Sequence, residues 1–212
     1  MKRIAYFGGT FDPVHNGHLS IARSVTKLFD LDRFFFLPAF HAPHKPDRRP
    51  TSEYHRYAML CLATQGEQTI SVSSLELEKR EKRYTIDTLS ELQELHPNER
   101  VFFVMGADSW ADIRTWRSWE NVLLASDHIV VTRPGYEIAF DHVSDAVRER
   151  IVDLRSHPFE ETRGKRIYIT DAVLYDASAT ELRDDLSDGR LDREDDLPVE
   201  VANYIEKYEL YR

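Results

Sequence analysis

His15 and His18 are the residues of this chain whose type and spacing most directly suggest chemistry. They follow Gly8-Gly9-Thr10-Phe11-Asp12-Pro13 and precede a helical pattern. Two imidazoles at this spacing fall on one face of a first helical turn. Backbone N–H groups are exposed there and the helix dipole is positive, so phosphate is the natural ligand. Such a place disfavours imidazolium but leaves a neutral ring able to donate to a phosphoryl oxygen. Gly8 and Gly9 permit close backbone approach, Thr10 offers a hydroxyl to phosphate or to a turn, and Pro13 fixes the entry to the helix. Two other readings stay open. His15, His18, His41 and His44 form two H-x-x-H pairs that zinc would accept, and both histidines of the first pair could be structural.

Three further clusters carry polar groups of the same kind. Lys45 stands in a proline-rich segment with His41, His44, Arg48 and Arg49, and reads as an anion contact or as a surface lysine. Gly106-Ala107-Asp108 follows an apolar run, and Trp110, Trp116 and Trp119 come just after it. Core packing accounts for one or two of these tryptophans, and a flat ring at a strand end could stack on a heteroaromatic ligand. Ser178-Ala179-Thr180-Glu181-Leu182-Arg183 has the form of a capping box. It provides a second helix N-terminus with hydroxyls, and an arginine one turn in that could grip phosphates.

These residues need a scaffold that gathers them. Apolar runs predict strands at 3–7, 33–38, 69–77, 101–105, 128–132 and 166–170. Helical patterns fall at 17–29, 52–64, 86–95, 119–125, 143–154, 179–186 and 199–208. The alternation predicts an α/β fold: a Rossmann-like, open, mostly parallel sheet with helices on both faces. A small helical region from about residue 178 to 212 would complete a single domain. Ligands of such sheets bind beyond the carboxyl ends of the strands, where the first turn and the segments 39–50 and 78–84 should meet.

Composition narrows the function classes. The chain has 212 residues, 42% hydrophobic and 31% charged, with a net charge of −9. That balance fits a globular protein and argues against broad binding to a nucleic-acid backbone. It leaves room for a small phosphorylated ligand in a locally basic pocket. No apolar run approaches membrane-span length. Met1-Lys2-Arg3 leads straight into a strand pattern, and Cys61 is the one cysteine, so a reducing cytoplasm is the expected compartment. Cys61, set among Tyr57, Ala58, Leu60 and Leu62, is expected to be a buried structural thiol.

Taken together, these pieces resemble a known family. Gly9-Thr10-Phe11-Asp12-Pro13-x-His15-x-Gly17-His18 is similar to the signature of the HxGH nucleotidyltransferases, and Ser178-Ala179-Thr180-x-x-Arg183 to their second signature. Pro43-His44-Lys45, Tyr84-Thr85-Ile86-Asp87-Thr88-Leu89, Gly106-Ala107-Asp108 with Trp116, and Arg133-Pro134-Gly135-Tyr136 resemble the bacterial nicotinate-nucleotide adenylyltransferases within that superfamily. Ala42 departs from a common proline, and Lys82-Arg83 from a common pair of small residues.

The resemblance implies adenylyl transfer from ATP to nicotinate mononucleotide, giving deamido-NAD and pyrophosphate. Other acceptors, nicotinamide mononucleotide or phosphopantetheine, belong to sister families, and a non-catalytic nucleotide-binding regulator is the rival of another class. The resemblance places ATP on Gly8, Gly9, Thr10, Phe11, His15, Gly17, His18, Ser178, Thr180 and Arg183. His15, His18, Thr10 and Arg183 would be catalytic. The mononucleotide would lie on Lys45, Tyr84, Thr85, Gly106, Asp108, Trp116 and Arg133. Mg²⁺ would arrive on the ATP phosphates rather than in a protein cage, with Asp12 a candidate for orienting its waters.

Overall fold

The structure is a computed structural model that describes residues 1–40, 50–132, 137–171, 179–188 and 196–211. Among the described residues, seven strands fall at Arg3–Gly9 (β1), Arg33–Pro38 (β2), Ile70–Val72 (β3), Arg100–Gly106 (β4), Asp127–Val131 (β5), Ile151–Asp153 (β6) and Ile167–Thr170 (β7). They form one sheet in the order β3-β2-β1-β4-β5-β7-β6, and every pairing is parallel. Helices occupy Asn16–Leu28 (α1), Glu53–Thr64 (α2), Leu75–Glu78 (α3), Thr85–Leu95 (α4), Ala107–Ala111 (α5), Trp119–Ala125 (α6), Asp145–Arg148 (α7), Ala179–Ser187 (α8) and Val199–Lys207 (α9). A short 3-10 turn covers Ile113–Thr115. Among the described residues no helix is long and apolar enough to cross a membrane.

The central strands are apolar on both faces, as a parallel sheet covered by helices requires. In β1 all of Ile4, Ala5, Tyr6 and Phe7 are buried. Alternation then sorts them. Ala5 and Phe7 join Phe34, Phe36, Phe102 and Tyr168 in the core under α1, α2 and α9. Ile4 and Tyr6 join Phe103, Met105, Leu89 and Val122 in the core under α4 and α6. The chain runs outward from β1 to β3, then returns to β4 on the other side of β1. That reversal makes the gap between β1 and β4 the topological switch point.

The structure corrects three expectations. The strand expected over 69–77 ends at Val72, because Ser73 accepts a hydrogen bond from the Leu75 N–H and Ser74 bonds Glu78, turning the chain into α3. The helix expected over 143–154 is only Asp145–Arg148, and Ile151 and Val152 instead pair with Ile167 and Tyr168 on β7. Cys61 is exposed. The buried face of α2 is Arg56, Met59, Leu60 and Thr64, and position 61 is rotated about 100° from Leu60, away from that face.

One core histidine sets a pH dependence of stability. His128 on β5 is fully buried, and burial pulls its pKa down to about 4. Its Nδ1 lies 3.1 Å from the Ser126 carbonyl, and its Nε2 has no hydrogen-bond partner among the described residues. Below pH 6.5 the unfolded chain protonates this histidine while the folded chain does not, so stability falls as pH drops. The expected loss is about 2 kcal/mol between pH 6.5 and 5. Urea unfolding at pH 7 and pH 5 should show it, and His128→Phe should flatten the slope. An unchanged slope in the variant would mean that other groups carry the effect.

Candidate active site

The first turn leaves β1 at its carboxyl end, beside the switch point. Neither glycine there uses left-handed backbone. They are needed for space: a Cβ on Gly8 would sit 2.7 Å from the Phe103 ring, and one on Gly9 2.8 Å from the Phe11 ring. Phe11 itself adopts φ +50°, an uncommon conformation for a bulky residue. This drives its ring inward, 3% exposed, edge-on to Phe7, Phe36 and His18. The Phe11 side chain is therefore a support beneath His18, and it is Gly9 that makes room for it.

His15 is the N-cap of α1 and His18 its third residue. The His15 backbone N–H donates to His18 Nδ1 at 3.3 Å. The two rings overlap with centroids 3.7 Å apart. This bond settles the His18 tautomer: with Nδ1 accepting, the ring proton sits on Nε2. Burial, and then the neighbouring His15, hold the His18 pKa well below the usual histidine value. His18 is thus a neutral imidazole whose single N–H is directed away from its own backbone. It can donate to an anion without bringing a charge of its own. Gly17, between them in the first turn, is buried.

Arg183 on α8 closes on the same turn. Its Nη1 donates to the Asp12 carbonyl at 2.6 Å and its Nη2 to Thr180 Oγ1 at 3.1 Å. Its Nε is buried without a hydrogen-bond partner among the described residues. The fold thus unites two signatures separated by most of the chain. Thr180 is exposed on the first turn of α8. Ser178 lies outside the described residues, as do Lys45, Arg133 and the rival zinc ligands His41 and His44.

The described residues that the sequence reading expected on the acceptor side sit along the same carboxyl edge. Gly106 ends β4 and caps α5, with nothing within 4 Å of where a Cβ would stand. Asp108 is exposed in the first turn of α5. Tyr84 and Thr85 open α4. The Arg117 guanidinium lies 4.8 Å from the Tyr84 ring centroid, which draws the start of α4 against the Trp116–Arg117 corner. Of the three tryptophans, Trp110 is a core residue whose Nε1 donates to the Ala139 carbonyl at 2.8 Å. Trp116 and Trp119 are partly buried against the α4–α6 core.

Sequence reasoning missed the groups that hold this edge from behind. Arg56 on α2 is fully buried. Its Nη1 donates to the Thr10 carbonyl at 2.6 Å, Nη2 to Ala39 at 2.7 Å and Nε to Thr51 at 2.9 Å. A signal existed: an arginine on the same helical stripe as Met59 and Leu60. Asp12 proves to have structural partners. Its Oδ1 accepts from the Tyr211 hydroxyl at 2.6 Å and its Oδ2 from the Thr51 N–H at 3.2 Å. With both oxygens engaged inside the protein, the carboxylate is poorly placed to order waters around a metal. Among the described residues no three His, Cys, Asp or Glu side chains converge to hold a metal ion.

A separate concavity of about 720 Å³ opens at the opposite, amino edge of the sheet, around Arg100, Asp127 and Lys165. Its floor is the buried Arg100–Asp127 pair, with Nη2–Oδ1 at 2.8 Å and Nε–Oδ2 at 3.0 Å. It shares no residue with the turn.

The Cytidylyltransferase-like family matches residues 6–185. The chain belongs to this family. Relatives align over its whole length. A Clostridium tetani protein named probable nicotinate-nucleotide adenylyltransferase is 35% identical over 212 residues, covering 100% of both chains. A Desulfitobacterium hafniense protein of the same name is 36% identical over 211 residues, covering 100% of this chain and 96% of its own. The Plasmodium falciparum nicotinic acid mononucleotide adenylyltransferase complexed with NaAD superposes with a TM-score of 0.76. At 21% identity, over 100% of this chain and 98% of that one, it speaks for the fold. The family match begins inside β1 and ends inside α8, so it spans the His15–His18 turn and Arg183. It stops short of α9 and Tyr211.

Proposed function

We propose that the chain transfers the adenylyl group of ATP, taken as its Mg²⁺ complex, to nicotinate mononucleotide, releasing pyrophosphate and forming deamido-NAD, a step of NAD biosynthesis. The observation that carries this reading is His18: a neutral ring fixed as an Nε2–H donor at the start of α1, beside the switch point. The names of the full-length relatives support the choice of acceptor.

The nucleophile in this reading is a phosphate oxygen of the mononucleotide, largely ionised at neutral pH because its second pKa is about 6. It attacks the α-phosphorus in line, and the bond to the β-phosphate oxygen breaks as pyrophosphate departs. No side chain needs to remove a proton. The work is alignment of two anions and stabilisation of charge on the leaving group. Thr10, His15 and His18 would donate to the ATP phosphates, with Gly8, Gly9 and Gly17 lining the approach. Ser178, Thr180 and Arg183 would hold the β and γ groups. Lys45 would take the acceptor phosphate, and Trp116 the pyridine ring. Tyr84, Thr85, Gly106, Asp108 and Arg133 complete the acceptor side. A carboxylate facing N–H donors is preferred to an amide that presents its own NH₂.

Pyrophosphate release should be measured with MgATP and three acceptors: nicotinate mononucleotide, nicotinamide mononucleotide and phosphopantetheine. The expected result is a clear kcat/KM preference for the first. Equal use of the amide would overturn the acid specificity, and no turnover with any of the three would overturn the reaction.

A further inference from the structure

Asp12 lies between Phe11, with its left-handed backbone, and Pro13, which leads to His15. The segment after α9 reaches back to it. Glu209 and Tyr211 both adopt left-handed backbone, φ +51° and +67°. A non-glycine residue holds that conformation only where its surroundings fix it. Here the surroundings are specific. Leu210 and Tyr211 pack against the core shared with α1 and α2, the Leu210 N–H donates to the Ile205 carbonyl at 3.1 Å, and the Tyr211 hydroxyl meets Asp12 Oδ1 at 2.6 Å. Asp12 is 8% exposed and Tyr211 half-buried, so this is a part-buried, charge-assisted hydrogen bond, stronger than a neutral one.

We propose that Tyr211 is a positioning residue for adenylyl transfer: by donating to Asp12, it fixes the Phe11–Pro13 turn and hence the frame from which Thr10, His15 and His18 project. Tyr211 acts through Asp12, with a further side-chain hydrogen bond to Thr51 at the same hydroxyl. The inference rests on the proposed function for what the turn does, though not for the brace itself. Asp12 joins three chain-distant elements: its Oδ1 takes Tyr211, its Oδ2 the Thr51 N–H, and its carbonyl Arg183. Of these contacts only the one from Tyr211 can be removed by deleting a single oxygen while keeping the packed ring. Burial and the Asp12 charge both raise the phenol pKa, so the hydroxyl remains a donor across the working pH range.

Tyr211→Phe in the full chain tests this in two ways. In the pyrophosphate-release assay with MgATP and nicotinate mononucleotide, kcat should fall about ten- to a hundredfold, the scale of a misplaced catalytic frame. KM for the mononucleotide should stay within about twofold, because the acceptor's own contacts are intact. In hydrogen exchange, amides of residues 10–18 should exchange about tenfold faster than in the parent chain, while those of β4 and β5 stay as protected as before. An unchanged kcat, or a loss that only follows the folded fraction, would overturn the positioning role. Unchanged exchange at 10–18 would overturn the brace itself. If the parent chain does not adenylylate the mononucleotide, the functional reading fails, and the exchange result still decides the brace.

Discussion

Replacing His18 by alanine is expected to lower kcat for adenylyl transfer roughly a hundred- to a thousandfold, the range seen when one preorganised donor to developing negative charge is removed. The geometry says why this donor should matter more than its size suggests. Its Nδ1 is already committed to the His15 N–H, and its ring is wedged against Phe11 with centroids 5.0 Å apart. Its Nε2–H therefore needs no reorganisation when charge moves toward the leaving group. The loss should appear in kcat more than in KM for ATP, because the contact strengthens in the transition state. His18→Gln, which keeps an N–H donor, should recover part of it.

The pH profile makes a second test of the same residue. The His18 pKa is held well below 6.5, so the ring stays neutral through the neutral range. Any acidic limb near pH 6 should belong to the acceptor phosphate, whose second pKa is about 6, and should persist in His18→Gln. Only at lower pH would a proton on Nδ1 confront the His15 N–H and break the arrangement. Steady-state rates from pH 5 to 9 for both proteins would decide it. An acidic limb near pH 6 that disappears in His18→Gln would mean that His18 itself titrates there, and a rate lost on the alkaline side only in the parent would mean that the imidazolium, not the imidazole, is the working form.

The sequence made the strands and the turn legible because their signals are local. β1 and β2 are short apolar runs between polar ends, and His15 and His18 sit at a helix start marked by Pro13. The parallel pairing of the strands followed from alternation with helices. The misreading of 143–154 came from competition by a distant partner, whereas those at 73–77 and Cys61 turn on local hydrogen bonds and helix phase. Ile151 and Val152 fit a helical stripe as well as a strand, and it is Ile167 and Tyr168 on β7 that decide between them. Gly9 was legible as a glycine, but its reason is the ring of Phe11, placed by a backbone angle that no pattern announces. Asp12 could not be matched to Tyr211 from sequence, since nothing local links residues so far apart. Arg56 was within reach, as a charge on the buried stripe of an amphipathic helix.

Arg56 carries the largest stability effect expected of a single substitution here. Its guanidinium is a planar fork, and three of its nitrogens serve three different chain segments: the turn at Thr10, the end of the β2 exit at Ala39, and the entry to α2 at Thr51. Burial lowers its pKa from the ordinary arginine value, while the nearby charges of Asp12 and Glu53 oppose that shift. The group remains a cation, since arginine is not deprotonated in proteins. Arg56→Met replaces the stem with similar volume but strands the carbonyls of Thr10, Ala39 and Thr51 without their donor and removes one of the cations near Asp12. Each buried unsatisfied group costs about 1–3 kcal/mol. Because the groups relax together, the expected total is about 3–5 kcal/mol rather than the full sum. For a chain of this length that is a fall in Tm of roughly 10 °C. Arg56→Lys keeps the charge, but one nitrogen cannot serve three segments, so it should recover less than half of the loss. Thermal unfolding of the three proteins measures this directly. A fall below about 2 °C for Arg56→Met would mean that the backbone of the turn holds itself, and that the carbonyls find other donors when the fork is gone.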